Sequence, residues 1–86
     1  MTHARQVRKG RDFMILVRLE PALQIHDPHR GLLIIYAVVD NRPQVLPNHG
    51  DAYGVDITVA RAMIMSGNVQ LNAAQAAALH MEGLNG

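Results

Sequence analysis

Gly-Leu-Leu-Ile-Ile-Tyr-Ala-Val-Val-Asp, residues 31–40, is the stretch that decides the fold of this chain. Apolar and aromatic residues follow one another from Leu32 to Val39 without a charge, and turn-forming residues stand on both sides. The run is too short to cross a bilayer as a helix, which takes ~20 apolar residues. Because it is rich in β-branched residues, it predicts a strand.

Both faces of this strand are apolar, since successive side chains of a strand point to opposite sides of the sheet. A strand of this kind normally lies in the middle of a sheet, with cover on each side. With 86 residues, the chain is expected to cover one face and to leave the other for a second copy or a partner. The residues predicted for this oligomer or partner interface are Leu33, Ile35, Ala37 and Val39.

Two further strands are predicted in the first half of the chain, over residues 13–19 and 44–46. Pro21 lacks an N–H for the ladder and is expected to interrupt regular pairing after the first strand. Turn-forming residues fill the segments 27–31 and 40–43, on either side of the central strand. The pattern predicts a three-stranded antiparallel meander.

The second half of the chain predicts two helices. Asp56 is placed to cap the N-terminus of a nearly all-apolar helix over residues 57–66. Asn72 and Gln75 stand at the spacing of a capping box, ahead of an alanine-rich helix over residues 73–82. The predicted fold class is therefore α+β, a small three-stranded antiparallel sheet followed by two helices packed on one face.

Length and charge indicate one α+β domain over residues 12–86, preceded by a flexible basic N-terminal arm over residues 1–11. Four of the eight Lys and Arg residues lie in the arm, and all seven acidic residues lie after it. The chain has no cysteine, which fits a reducing compartment, and the basic N-terminus is not followed by the apolar h-region of a signal peptide. A cytoplasmic location and no signal peptide are therefore expected.

The residues that could carry chemistry are few. His26 and His29 flank a turn containing a proline, while His49, Asp51 and Asp56 lie in and after a loop. Neither spacing matches the helical pair of a zinc protease, and no nucleophile elbow or Walker glycine loop is present. The five side chains are interpreted as loop and capping residues. We therefore expect no catalytic residue, no metal, no cofactor and no enzymatic activity.

Nucleic acid is the alternative class of partner, because Arg5, Arg8, Lys9 and Arg11 could neutralise several phosphates. The helix pair invites comparison with a helix-turn-helix. However, the helix in the recognition position, residues 72–82, contains no arginine or lysine to read bases. Aromatic residues for base stacking make up only 3% of the chain, so the basic arm alone supports this alternative.

A protein-binding role is the function that the sequence favours. Apolar residues make up 49% of the chain and charged residues 17%, and such a small domain gains stability by burying apolar surface in a partner. We expect a non-enzymatic regulator or inhibitor, with the size and composition of a bacterial or phage accessory protein, acting as a homodimer or on another protein. The same basic N-terminal residues would contact the partner or phosphates, and neither helix has the basic polar face of a membrane-surface helix.

Overall fold

The computed structural model describes residues 4–9 and 12–83, with side chains from residue 14 onward. It contains an antiparallel sheet and two helices, which confirms the α+β class. The sheet has the strand order β1-β2-β3-β4-β5, so each strand pairs with its neighbours in the chain. The elements are β1 (Ala4–Lys9), β2 (Asp12–Asp27), β3 (Gly31–Val39), β4 (Arg42–Leu46), β5 (Tyr53–Gly54), α1 (Ile57–Ser66) and α2 (Ala73–Ala78).

The predicted three-stranded sheet lacks β1 and the two-residue strand β5. Residues 4–9, inside the predicted arm, form β1 and pair with residues 12–17 of β2. Because this pairing joins polar and apolar segments without a shared pattern, hydrophobic periodicity gave no sign of it. The flexibility of residues 1–11 stays a prediction, and residues 1–3, 10 and 11 lie outside the described part of the chain.

The two hairpins around β3 have turns that their residues favour. Asp40 and Asn41 have φ values of +51° and +63°, as a two-residue type I′ turn requires. In the β2–β3 turn, Asp27 Oδ1 accepts hydrogen bonds from the backbone N–H groups of His29 (2.7 Å) and Arg30 (2.9 Å). Gly31 closes that turn at φ +79°, which costs a glycine little.

A long irregularity divides β2 into two regular halves. The register with β3 moves from Arg18 opposite Ala37 to Leu23 opposite Ile35, so four β2 residues face a single β3 residue. Pro21, preceded by a cis peptide bond, lies inside this segment. The irregularity keeps Leu19 and Leu23 on the same side of the sheet, where both are buried.

Both helices begin as predicted. Asp56 caps α1 by accepting a hydrogen bond from the Thr58 N–H at 2.9 Å. Asn72 and Gln75 form the capping box of α2, with two reciprocal 2.8 Å hydrogen bonds. These local signals were sufficient, because each cap involves residues only two or three positions apart.

The second helix ends at Ala78, four residues earlier than predicted. His80 adopts φ +55°, and the Met81 N–H donates to the Ala76 carbonyl at 2.8 Å, as in a Schellman motif. This turn buries Leu79 and Met81 in the core. Burial of these two apolar side chains therefore ends the helix, although the alanine-rich sequence would have continued it.

The core lies on one side of the sheet, and the two helices cover different strands there. α1 contacts β4 and α2 contacts β2, so the prediction of two helices packed on one face holds only in part, because each helix covers a different strand. The Arg61 side chain links them by donating from Nε to the Leu79 carbonyl at 3.0 Å. No helix in the described residues is long and apolar enough to span a membrane. The largest fully buried apolar residues are Leu33, Ile35, Pro43, Val45, Ile64 and Leu79.

Candidate interaction surface

Side chains of β3 alternate between two environments. Leu33 and Ile35 are 0% exposed in the single chain, because they lie on the side that the helices cover. Leu32 and Ile34 are only partly buried, and Tyr36 is 38% exposed. We call the side of the sheet that carries Leu32, Ile34 and Tyr36 the open face.

The neighbouring strands extend the open face through the register. Ile34 stands opposite Gln24 on β2 and opposite Leu46 on β4, and Leu46 is 42% exposed. A register shift at Tyr36 returns Val38 to the core side and leaves Ala37 on the open face. From residue 14 onward, register and alternation place these residues of β2, β3 and β4 on the open face: Met14, Leu16, Arg18, Gln24, His26, Leu32, Ile34, Tyr36, Ala37, Val39, Arg42, Gln44 and Leu46.

From residue 14 onward, the charged side chains of the open face are all of one sign. These are Arg18 and Arg42, both exposed, and this part of the face has no acidic residue. Among residues 14–83, neither arginine forms an ion pair. Glu20 is the nearest acid along the chain to Arg18, but it lies in the irregular part of β2, without a partner on β3.

Arg42 is held in place by the backbone of Gly54. Its Nη2 donates to the Gly54 carbonyl at 3.3 Å, and a Cβ on Gly54 would lie 2.9 Å from Arg42 Nε. The Gln44 side chain also lies over this glycine and donates to the Arg42 carbonyl at 2.9 Å. The side chains of Arg42 and Gln44 therefore depend on the absence of a side chain at position 54.

The predicted basic contact residues lie toward the same end of the sheet as Arg18 and Arg42. Arg5, Leu16, Val39 and Arg42 follow one another in register across four strands. Arg8 stands opposite Phe13, and Lys9 stands opposite Asp12, farther along the β1–β2 hairpin. Arg11 lies outside the described residues. A phosphate or partner contact by these residues stays a prediction.

The predicted interface residues are divided between the two faces. Leu33 and Ile35 belong to the core, Ala37 is 2% exposed, and Val39 lies partly buried on the open face. Their role in an interface stays a prediction, but Leu33 and Ile35 are inaccessible in this structure.

Sequence reasoning overlooked the accessible set, namely Leu32, Ile34, Tyr36 and Leu46. The polarity of β2 contained a usable signal, because Gln24 and His26 alternate with the buried Leu23 and Ile25. The β3 residues opposite the two polar side chains, Ile34 and Leu32, belong to the open face.

The histidines and acids of the two loops do not form a single site. His49 and Asp51 line a shallow pocket with Arg30 and Tyr53, whereas the Asp56 carboxylate caps α1. The Thr58 hydroxyl, and then its N–H, lower the pKa of Asp56 by hydrogen bonding. Within the described residues, no group of three or more His, Cys, Asp or Glu side chains could hold a metal ion.

Asp27, between His26 and His29, is occupied by its own turn. Backbone N–H groups of Arg30 and then His29 lower the pKa of its carboxyl, and Arg30 forms a 3.7 Å ion pair with it. The Asp27 carboxylate therefore stabilises the β2–β3 turn, as the Asp56 carboxylate stabilises the N-terminus of α1.

No family model, curated protein or solved structure matches this chain. The most distinctive surface among the described residues is the open face, since it combines partly exposed apolar side chains with two unpaired arginines.

Proposed function

We propose that this chain is a non-enzymatic interaction protein, a regulator or inhibitor that acts by binding another protein through its open face. The observation that carries this proposal is the apolar character of a sheet face that the helices leave uncovered. The water-facing side of an antiparallel sheet is normally polar. Here Met14, Tyr36 and Leu46 are each more than a third exposed. The partly buried Ile34 stands opposite Leu46, and Leu32 follows it on the same face of β3.

Self-association is part of the proposal. A homodimer through the open face would bury the same apolar side chains, and closed two-fold dimers are the commonest protein oligomers. A cytoplasmic bacterial or phage accessory protein that blocks a partner's surface fits this description. Such a role requires no cofactor, and it uses the surface of the chain instead of a pocket.

A nucleic-acid-associated protein is the second candidate, and one observation favours it. Ile15 of β2 is bonded to Asp40 in the β3–β4 turn. The pairing of β1 with β2 continues past this point toward the start of β2, as far as Lys9 opposite Asp12. The basic hairpin therefore extends beyond the rest of the sheet. A projecting pair of strands that carries Arg8 and Lys9 could follow a phosphate backbone.

Matched bait variants test the main proposal. Three chains are immobilised and incubated with a bacterial lysate. They are the wild type, the double variant Ile34→Glu/Tyr36→Glu on the open face, and Met65→Glu on the exposed side of α1. We expect a protein retained in stoichiometric amount by the wild type and by Met65→Glu, and lost with the double variant. Self-association of the three chains is measured by sedimentation equilibrium. We expect the wild type and Met65→Glu to associate and the double variant to remain monomeric. Equal retention by all three baits, with the wild type monomeric, would contradict the proposal.

The second candidate is tested by charge removal instead of deletion, because deletion would remove strand β1. Arg5, Arg8 and Lys9 are replaced together by glutamine, and retention of duplex DNA and single-stranded RNA is measured as salt is raised. Nucleic-acid binding requires a salt-sensitive shift that this variant loses. If the wild type causes no shift at low salt, the second candidate is wrong.

A further inference from the structure

We infer that the partner of the open face is an acidic protein surface, whose carboxylates pair with Arg18 and Arg42 beside an apolar contact. This inference rests on the proposed function and adds the chemistry of the partner. It begins from the separation of charge in the fold. The acidic residues with described side chains lie in turns, in the irregular part of β2, in loops or at helix ends, and none is in the register of the open face.

The two arginines are available for pairing. Both side chains are exposed, and neither forms an ion pair among residues 14–83. Arg42 uses one N–H donor on the Gly54 carbonyl and keeps the others free. The pKa of Asp56 is lowered mainly by hydrogen bonds from the Thr58 hydroxyl and N–H, and to a lesser extent by the charge of Arg42. The Asp56 carboxylate is therefore bonded to Thr58 and forms no ion pair with Arg42.

The geometry sets the spacing of the partner's acids. Arg18 on β2 stands in register with Ala37 on β3 and Gln44 on β4. Arg42 lies two residues from Gln44 along β4, and β4 is two strands away from β2. Strand spacing and rise place the two Cα atoms roughly 12 Å apart. Arginine side chains at that distance can hold two carboxylates on either side of an apolar group that contacts Leu16 or Val39. Arginine is enriched at protein interfaces for such paired contacts.

The composition of the face favours a protein over nucleic acid. From residue 14 onward, Tyr36 is the single Phe, Tyr or Trp of this face, whereas sheets that bind single strands stack several bases on aromatic side chains. Leu32, Ile34 and Leu46 are aliphatic and suit apolar side chains of a protein. A second copy is also a poorer match, because from residue 14 onward its open face offers two more arginines and no carboxylate.

The test selects binders from a random 12-residue peptide library displayed on phage, against the full wild-type chain. The selected peptides are synthesised with a fluorescent label and measured by anisotropy. We expect them to be enriched in Asp and Glu together with aliphatic residues. Their affinity should fall at least about tenfold for Arg18→Glu/Arg42→Glu, because reversed charges repel the same acids. Arg30→Glu is the control, because it reverses the charge of an arginine that lies outside the open face. This variant should bind the peptides like the wild type.

Other outcomes separate this inference from the proposed function. Peptides that are not acidic, but lose binding with Ile34→Glu/Tyr36→Glu, would overturn the inference and leave the open face as a binding site. Peptides unaffected by that variant would contradict both. A dimer broken by Tyr36→Glu and unaffected by Arg18→Glu would identify a second copy as the occupant and overturn the inference. The inference would also be overturned if the wild type bound labelled single-stranded oligothymidine and Arg18→Glu/Arg42→Glu abolished that binding.

Discussion

The side chain of Gln75 donates a 2.6 Å hydrogen bond from Nε2 to the backbone carbonyl of Pro21. Gln75 is 4% exposed, and its Oε1 accepts from the Asn72 N–H as part of the capping box. One buried side chain therefore caps α2 and fixes the helix to the irregular part of β2. Asn72 strengthens this link by donating from Nδ2 to the Glu20 carbonyl at 3.3 Å.

Replacing Gln75 by leucine should destabilise the fold by about 1–3 kcal/mol, because the Asn72 N–H and the Pro21 carbonyl lose their partner in a partly buried setting. The free energy of unfolding is measured by urea denaturation. Gln70→Leu is the matched control, since Gln70 is exposed in the link between the helices. Equal stability of the two variants would show that the Gln75 contacts contribute nothing.

The β3–β4 turn should tolerate glycine and resist alanine at Asn41. Asn41 has φ +63°, a conformation that costs an ordinary L-residue about 1 kcal/mol or more. Asn41→Ala is therefore expected to lower the free energy of unfolding by about that amount, and Asn41→Gly to change it little. The comparison uses thermal and urea denaturation of both variants. If alanine and glycine gave the same stability, the positive φ would be wrong.

Acid should remove the stabilisation that Asp27 provides. Its pKa is lowered in the folded chain by the N–H groups of Arg30 and His29, so the stabilisation is present above the unfolded pKa of 3.8 and is lost as pH falls through the folded value. The free energies of unfolding of the wild type and Asp27→Asn should therefore differ at pH 6 and converge below about pH 4. A difference that stayed constant or grew on acidification would contradict the lowered pKa.

Two adjacent residues of β3 should respond very differently to truncation. Leu33→Ala removes a fully buried side chain and should cost about 2–5 kcal/mol of stability. Ile34→Ala truncates a partly exposed side chain and should cost roughly 1 kcal/mol. Both are measured at a concentration where the chain is monomeric. A reversed order would mean that the helices cover the other face.

Much of the local structure could be predicted from the sequence. The caps at Asp56 and Asn72 and the β3 turns are set by residues close in the chain. Their hydrogen bonds are therefore visible in residue type and spacing.

The parts that failed depend on contacts between distant residues. Pairing of β1 with β2 involves a polar segment without alternation, so no periodic signal announces it. The end of α2 depends on burial of Leu79 and Met81, which overrides the helix propensity of the alanines. The two faces of β3 cannot be told apart from its own residues, because nearly all of them are apolar. They are distinguished by the pairing of β3 with Gln24 and His26 on β2.

The open face is tested most directly by NMR, as the relaxation of methyl groups by a soluble gadolinium chelate, on the chain diluted to its monomeric form. We expect strong relaxation of the Leu32, Ile34 and Leu46 methyls and protection of the Leu33, Ile35 and Ile64 methyls. Equal protection of both sets in a monomer would mean that the chain covers both faces of its sheet. In that case there is no open face to bind a partner, and the proposed function fails.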